Sequence, residues 1–541
     1  MNAVNAEAKI PDTEIRSAGM GAPSGELTFR GNSLLGLLLI TLLAIVLRLW
    51  QLGDWSIWVD EAHTWRDITL PLDSFLDSER AWYPLSFLGL RALVESHVLP
   101  SLDAYWLRLP FAIFGMASVP LLAWYGRSLV GRRAALTAAL FLAVNPWHIY
   151  FSQNARGYVL VAFFAILSAG CYWQSIQRGQ VWLRVIALGL AVLTGACHIT
   201  GLALLPIFIA FPVLSHWQRT GHRVWIWLIA LGGIGIVLPI IIWFFPPFLS
   251  FQRAKSEASI MHFVHTSLFY FRPSMLCAAL AGVWLMIRTR MQGRGLFLLC
   301  WLLVPMFAVG VLGSTFVKAT ARYAFCALPA LMLLAASASV RLGESLVAGL
   351  SYRSVRSRIV PMLVLPMILF LDMASYDYLY FTSQHGDRAR WGESAALIQQ
   401  AAKGQPYLVY SINEPSLQYY LCPDHFRAQK QAPKPTGTVV GIHDWELARG
   451  YPSQLKNADG SLPPGALSSG GCRSYFAAVE QDAVQHKRAA FFVITLPEIH
   501  EKDPSGVLLK HLQEECRLLQ VLPCWVGPKD ETIYIFSLFR R

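Results

Sequence analysis

The chain has 541 residues, of which 55% are hydrophobic and only 14% charged, and its formal net charge is +12. That balance excludes an ordinary soluble globular domain, in which about a quarter of residues are charged. Nucleic-acid binding is also disfavoured, because the basic residues lie in short loops between apolar runs, where they set membrane topology, and not along one stripe.

Residues 1–33 mix charge with Pro, Gly and Ser and read as a disordered cytoplasmic tail. The apolar run that begins at Leu34 has no small-residue cleavage pattern behind it, so it reads as a retained first span and not as a signal peptide. Runs long enough to cross a ~30 Å hydrocarbon core recur at residues 34–51, 108–126, 134–151, 157–176, 183–199, 201–216, 224–246, 273–288, 295–313, 323–340 and 359–381. They predict a polytopic α-helical membrane domain over residues 34–381 with about eleven spans.

Alternate loops hold Arg127, Arg132 and Arg133; Arg178 and Arg184; Arg219 and Arg223; Arg288, Arg290 and Arg294; and Arg341, Arg353, Arg356 and Arg358, offset only by Glu344. The loop from Gly53 to Leu107 carries instead Asp54, Asp60, Glu61, Asp67, Asp73, Asp77, Glu79, Glu95 and Asp103. The positive-inside rule makes the arginine loops and the N-terminus cytoplasmic, and puts the acidic loop and everything after residue 381 outside a plasma (inner) membrane.

Residues 382–541 alternate short apolar runs at 407–410, 439–442, 491–495 and 533–536 with helical patterns near 392–402 and 505–516, which predicts an extracytoplasmic α/β domain. Four cysteines fall there, Cys422, Cys472, Cys516 and Cys524, and export would favour disulfides among them, with Cys516 and Cys524 nearest in sequence. Nothing in this stretch identifies a ligand.

Chemistry concentrates at span ends on the outer side. Asp60 and Glu61 follow the first span closely, and a carboxylate beside apolar surroundings has a raised pKa and serves as a general base, while its neighbour holds a metal or orients a substrate hydroxyl. Adjacent helical residues point about 100° apart, so only one of the two faces the acceptor, and spacing does not choose between them. Arg156, Tyr158, His198, Lys318, Arg322 and Tyr323 are the substrate-binding candidates. Arg grips phosphate through a planar fork and Lys as a point charge. His262 and His265, joined by Glu61, are candidate ligands for a divalent metal, though without compact ligand spacing. Asp372, inside the last apolar run, must face protein or water.

In order along the chain come Asp60-Glu61, Tyr83-Pro84-Leu85, Arg108-Leu109-Pro110, Tyr125-Gly126-Arg127, Asn145-Pro146 leading to Ser152-Gln153-Asn154-Ala155-Arg156-Gly157-Tyr158, and Arg322-Tyr323 before Leu328-Pro329-Ala330. Together they resemble the bacterial protein-mannosyltransferase-like group of C-type glycosyltransferases, whose relatives include protein O-mannosyltransferases and the aminoarabinose transferase that modifies lipid A. The resemblance implies a polyprenyl-phosphate-linked sugar donor, an envelope acceptor, inverting transfer on the external face and Asp60 as base. Group members often have His-Pro-Pro-Leu where this chain has Trp82-Tyr83-Pro84-Leu85, and Glu where it has Asn154.

The residue inventory fits that chemistry. A lipid phosphate is a fair leaving group that needs cations more than an acid, so one carboxylate base suffices, with Arg156, Lys318 and Arg322 stabilising the phosphate and Glu61 orienting Asp60 or the sugar. En bloc transfer of a lipid-linked oligosaccharide needs the same parts. A transporter or lipid flippase would show polar residues deeper in the spans and paired broken helices, and few are present. The arginine asymmetry predicts that a reporter active only outside the cytoplasm works when fused after Phe381, and that a cytoplasmic reporter works when fused near Arg132; the opposite pattern would overturn the orientation.

Overall fold

The computed structural model describes residues 31–220, 260–289, 292–313, 319–349, 355–411, 414–427, 438–441, 469–496, 499, 503, 506–526 and 529–538. Most of the expected tail and the expected span at residues 224–246 lie outside the described residues. The first half is helical throughout: α1 (Asn32–Leu49), α2 (Val59–Thr69), α3 (Leu72–Leu76), α4 (Leu85–Glu95), α5 (Ala104–Val130), α6 (Arg132–Ala143), α7 (Pro146–Ser152), α8 (Tyr158–Arg178) and α9 (Val181–Cys197). Further helices occupy Ile207–Thr220, Ile260–Phe271, Pro273–Arg288, Gln292–Phe307, Leu328–Gly349 and Val355–Thr382.

Six helices among the described residues are long and apolar enough to cross a membrane, or up to eight if each of two bent pairs is one span; Ser33–Leu49 and Val181–Cys197 are shorter apolar helices. The chain is a multi-pass membrane protein. Helix Leu328–Gly349 is central, with α5, α6, Pro273–Arg288 and Val355–Thr382 packed against it. Small residues permit the close approaches: a Cβ on Gly282 would strike the Leu334 carbonyl, and one on Gly126 the Leu333 side chain.

Sequence punctuation explains the breaks. Asp103 caps α5 by accepting the Trp106 N–H at 3.1 Å. Asn145 caps α7 by accepting the His148 N–H at 2.9 Å, and Pro146 follows it, so α6 and α7 meet at 59° instead of forming the one straight span expected over residues 134–151. Pro273 breaks the chain again, where Ile260–Phe271 and Pro273–Arg288 meet at 89°. Asp372 faces this second break: Arg272 Nη2 donates to it at 2.6 Å, and so does Ser274 Oγ at 2.6 Å.

The two ends of the bundle differ in charge. At one end Arg133 bridges to Glu344 at 3.0 Å and Arg341 Nη1 donates to Thr289 Oγ1 at 2.8 Å, gathering the ends of three helices beside the arginine loops. The acidic segment and α2 lie at the other.

After the last long helix come a helix at Trp391–Ala402, strands β1 (Tyr407–Ser411) and β2 (Thr438–Gly441), helices Glu414–Leu421, Pro423–Arg427 and Ser469–Gln485, β3 (Ala489–Thr495), helix Val507–Glu515, β4 (Arg517–Leu522), β5 (Trp525–Val526), β6 (Lys529–Asp530) and β7 (Ile533–Ser537). The main sheet runs β2-β1-β3-β7-β4, parallel from β2 to β3 and antiparallel beyond, while β5 and β6 pair separately. Alternate residues of β1 and β3 feed two cores, Tyr410 and Phe492 on one face and Val409 and Phe491 on the other.

This arrangement corrects the disulfide expectation. Among the described residues, which include all nine cysteines, no disulfide forms. Cys472 and Cys516 pack in one core and Cys422 in the opposite one, and Cys524 Sγ donates instead to the Arg388 carbonyl at 2.8 Å.

Candidate active site

Helix α2 carries Asp60 and Glu61 in its first turn. Glu61 reaches back to accept the Trp58 N–H on Oε2 at 3.1 Å, closing the start of the helix. The same carboxylate is wholly buried, and Arg108 donates to it from Nε at 2.7 Å and from Nη2 at 2.8 Å. Ala155 N–H donates to Oε1 at 3.0 Å, and Arg388 Nε lies 3.5 Å from Oε2. Burial opposes ionisation of Glu61, but Arg108 and Arg388 outweigh it and, with these hydrogen bonds, hold the carboxyl below the ordinary Glu range.

The two arginines extend the network. Arg108 also donates to the carbonyls of Leu52, Trp55 and Ser56 at 3.0, 3.1 and 3.0 Å, stapling the loop before α2 to α5. Arg388 donates to the carbonyls of Gln153 and Gly386, each at 2.7 Å, and lies over the Tyr150 ring at 4.8 Å. Gln153 Nε2 in turn donates to the Trp50 carbonyl at 2.7 Å, and its Oε1 accepts from Tyr380 Oη at 2.7 Å. The end of α1, α2, α5, the turn at residues 153–157 and the chain beyond the last long helix are thereby fixed to one another.

Asp60 is placed differently. It is half-buried, and among the described residues its carboxylate has no hydrogen-bond or ion-pair partner; only its backbone carbonyl is engaged, by Thr64 Oγ1 at 3.0 Å. Burial works against its charge, but the guanidiniums of Arg156 and Arg322, with lesser help from Arg80, outweigh burial and hold the carboxyl below its usual range. The raised pKa expected from apolar surroundings is therefore corrected, because the cations dominate.

Those cations are poorly satisfied. Arg156 is only 8% exposed, and its Nε and Nη1 are buried without a hydrogen-bond partner. Arg322 Nε is likewise unpartnered, with the guanidinium 5.6 Å from the centre of the Trp58 ring and 5.4 Å from that of Tyr323. Aromatic rings complete the wall: His198 lies 4.6 Å from Tyr158, 5.2 Å from Tyr83 and 5.9 Å from Tyr323. Thr200 N–H donates to His198 Nδ1 at 3.4 Å, which leaves the N–H of the neutral ring on Nε2. Gly157 lets the Arg156 turn lie against the Cys197 carbonyl, where a Cβ would collide. Asn154 is completely buried, and neither polar atom of its amide finds a partner.

Of the sequence candidates, the structure gathers Asp60, Arg156, Tyr158, His198, Arg322 and Tyr323, gives Glu61 to the ion-pair network, and leaves Lys318 outside the described residues. The possible metal does not fit the donor set. Both oxygens of Glu61 are taken by Arg108, so it cannot join His262 and His265, and among the described residues no three His, Cys, Asp or Glu side chains converge. Sequence reasoning missed Arg388 altogether and quoted Arg108 and Gln153 without giving them roles; a basic residue within the first turns of an apolar helix, Arg108 in α5, was the available signal.

No family model matches the chain, and no curated protein sequence matches it. Solved structures do. The archaeal oligosaccharyltransferase AglB from Archaeoglobus fulgidus, in complex with an inhibitory peptide and a dolichol-phosphate, matches with a TM-score of 0.54 at 12% identity over 90% of this chain and 72% of that one. ArnT from Cupriavidus metallidurans bound to undecaprenyl phosphate matches with a TM-score of 0.50 at 15% identity over 93% of this chain and 98% of that one. The chain has the C-type glycosyltransferase fold.

Glu61→Gln strips two buried guanidiniums of their shared anion and should cost about 3–5 kcal/mol of stability at neutral pH. The folded-state carboxyl titrates below its ordinary value of 4.5, so the contribution of its charge is complete above that pH and is lost as pH falls through the folded value. Thermal unfolding in detergent should show the gap between parent and Glu61→Gln narrowing from neutral pH into that acid range. A gap that stays constant would mean that Glu61 is not the ionised anchor.

Proposed function

We propose that this protein is an inverting glycosyltransferase that moves a monosaccharide from a polyprenyl-phosphate donor to a hydroxyl-bearing envelope acceptor at the outer face of the plasma membrane. The reading rests on one observation above all: half-buried, unpartnered Asp60 shares its surroundings with buried Arg156 and half-buried Arg322, each of which has a buried N–H without a hydrogen-bond partner. Buried donors without acceptors are costly, and a phosphate would satisfy them with charge-assisted bonds. The solved structures of like fold that hold undecaprenyl phosphate or dolichol-phosphate support the same reading.

In this mechanism Asp60 accepts the proton of the acceptor hydroxyl as its oxygen bonds to the anomeric carbon from the face opposite the phosphate. The anomeric carbon–oxygen bond to phosphate breaks, its electron pair stays on the phosphate oxygen, and Arg156 and Arg322 stabilise the charge that develops there. Tyr158, His198 and Tyr323 wall the donor site, and Lys318 takes the same part as the arginines on its sequence position alone. Bound phosphate also neutralises the cations that depress Asp60, so the base gains strength once the donor is in place. Glycosidases need two free carboxyls across the sugar, and here the second, Glu61, is committed to Arg108.

Residues 34–381 would form the transferase domain and residues 382–541 an extracytoplasmic domain, with the arginine-rich ends cytoplasmic. En bloc transfer of a lipid-linked oligosaccharide is the second reading, favoured by the likeness to the Archaeoglobus enzyme. The nearly full coverage of ArnT favours the first.

Asp60→Asn keeps the shape and removes basicity. In nanodiscs, undecaprenyl phosphate binding should survive while transfer falls by about 10² to 10⁴. Arg322→Lys should not restore full activity, since a point charge does not reproduce the fork. Mass spectrometry of envelope glycans and glycoproteins from a deletion strain, complemented with each variant, reads transfer and separates one added sugar from many. Near-parental product from Asp60→Asn would remove it as the base.

A further inference from the structure

Along α2, Glu61, Ala62, Thr64, Trp65, Asp67 and Ile68 are buried, while Asp60, His63 and Arg66 are only half so. These three positions recur every three residues along one side of the helix. Beyond His63 the stripe ends in a fixed rim. Asp67 lies 3.0 Å from Arg66 Nη2 and 2.7 Å from Arg80 Nε, and the Arg66 guanidinium stands 5.4 Å from the ring centre of Phe426, which comes from the chain after the last long helix.

His63 itself has a buried Nδ1 without a hydrogen-bond partner, one helical turn from Asp60. The charged groups around it are Arg80, Arg66, Asp60 and Arg156, and burial together with the first two pushes its pKa down to about 3. Near neutral pH it is therefore an uncharged ring, able to hydrogen-bond.

We infer that His63 contacts the acceptor: the acceptor lies along the Asp60–His63–Arg66 face of α2, with its reacting hydroxyl at Asp60 and a neighbouring polar group on the imidazole, opposite the donor phosphate on Arg156 and Arg322. The inference rests on the transferase reading above and adds to it the side from which the second substrate approaches. His63 then orients the acceptor and takes no proton.

The test uses the full chain in two measurements, undecaprenyl phosphate binding in nanodiscs and envelope product by mass spectrometry in the complemented deletion strain. His63→Phe keeps a ring and loses the hydrogen bond, while His63→Asn keeps a polar nitrogen near the position of Nδ1. His63→Phe should lower product by about tenfold, the effect of one lost hydrogen bond, with undecaprenyl phosphate binding within about twofold of the parent, and His63→Asn should recover most of the loss. The inference is overturned if His63→Phe gives parental product, if His63→Asn does no better than His63→Phe, or if the variants lose undecaprenyl phosphate binding. A parent protein that does not bind undecaprenyl phosphate would instead overturn the reading of the whole site, and the role of His63 with it.

Discussion

Glu61 has no contact with solvent, and neither do Arg108 and Arg388 beside it. Charges so placed are tolerated only when their lone pairs and N–H groups are matched, because desolvation otherwise exceeds the Coulombic gain. Here the matching partners come from distant parts of the chain: the start of α2, the carbonyls before it, Ala155 and Gln153 in the turn after α7, and Gly386 beyond the last long helix. The network therefore specifies geometry. With Glu61 turned inward to meet Arg108, its neighbour Asp60 is rotated about 100° away, toward Arg156 and Arg322, and with Ala155 pinned to Glu61, Arg156 is carried to the same place.

The contrast between adjacent residues carries the functional reading. Two carboxylates and four guanidiniums gather at one end of the bundle, yet Glu61 has both oxygens engaged by Arg108, with Arg388 Nε 3.5 Å away, while the Asp60 carboxylate has no such partner among the described residues and Arg156 and Arg322 keep unpartnered N–H groups. A purely structural cluster would have closed in both halves. The chain beyond residue 382 also belongs to this arrangement. Tyr420 Oη accepts the Ile57 N–H at 2.7 Å, His385 Nε2 lies 3.0 Å from Ser56 Oγ, and Phe426 stacks on Trp65 with ring centres 6.0 Å apart, so the sheet-bearing segment braces α2 directly.

Much of the fold was legible because its signals are local. Hydropathy located most of the long apolar helices, though not Ile260–Phe271, and the apolar runs at residues 407–410, 439–442, 491–495 and 533–536 became β1, β2, β3 and β7. The breaks at Pro146 and Pro273 were hidden because apolar composition continues across each of them. Strand β4 was missed because it is largely exposed and its apolar pairs, Leu518-Leu519 and Val521-Leu522, are split by Gln520. At the site, Asp60, Arg156 and Arg322 stood out as charges at span ends, whereas the partner of Asp372 proved to be Arg272, 100 residues away in sequence, and that of Glu61 to be Arg108 and Arg388. Such pairings depend on tertiary placement, which no spacing rule records. The cysteines illustrate the same limit: export argued for disulfides, but the sheet places Cys422 on one face and Cys472 and Cys516 on the other.

The most direct test of the site is a structure of the full-length protein in nanodiscs with undecaprenyl phosphate bound. The phosphate should sit within hydrogen-bond distance of both Arg156 and Arg322, with Asp60 facing it and Glu61 still held by Arg108. Phosphate bound elsewhere, with the Arg156 and Arg322 guanidiniums left without it, would contradict the assignment of this cluster as the catalytic centre.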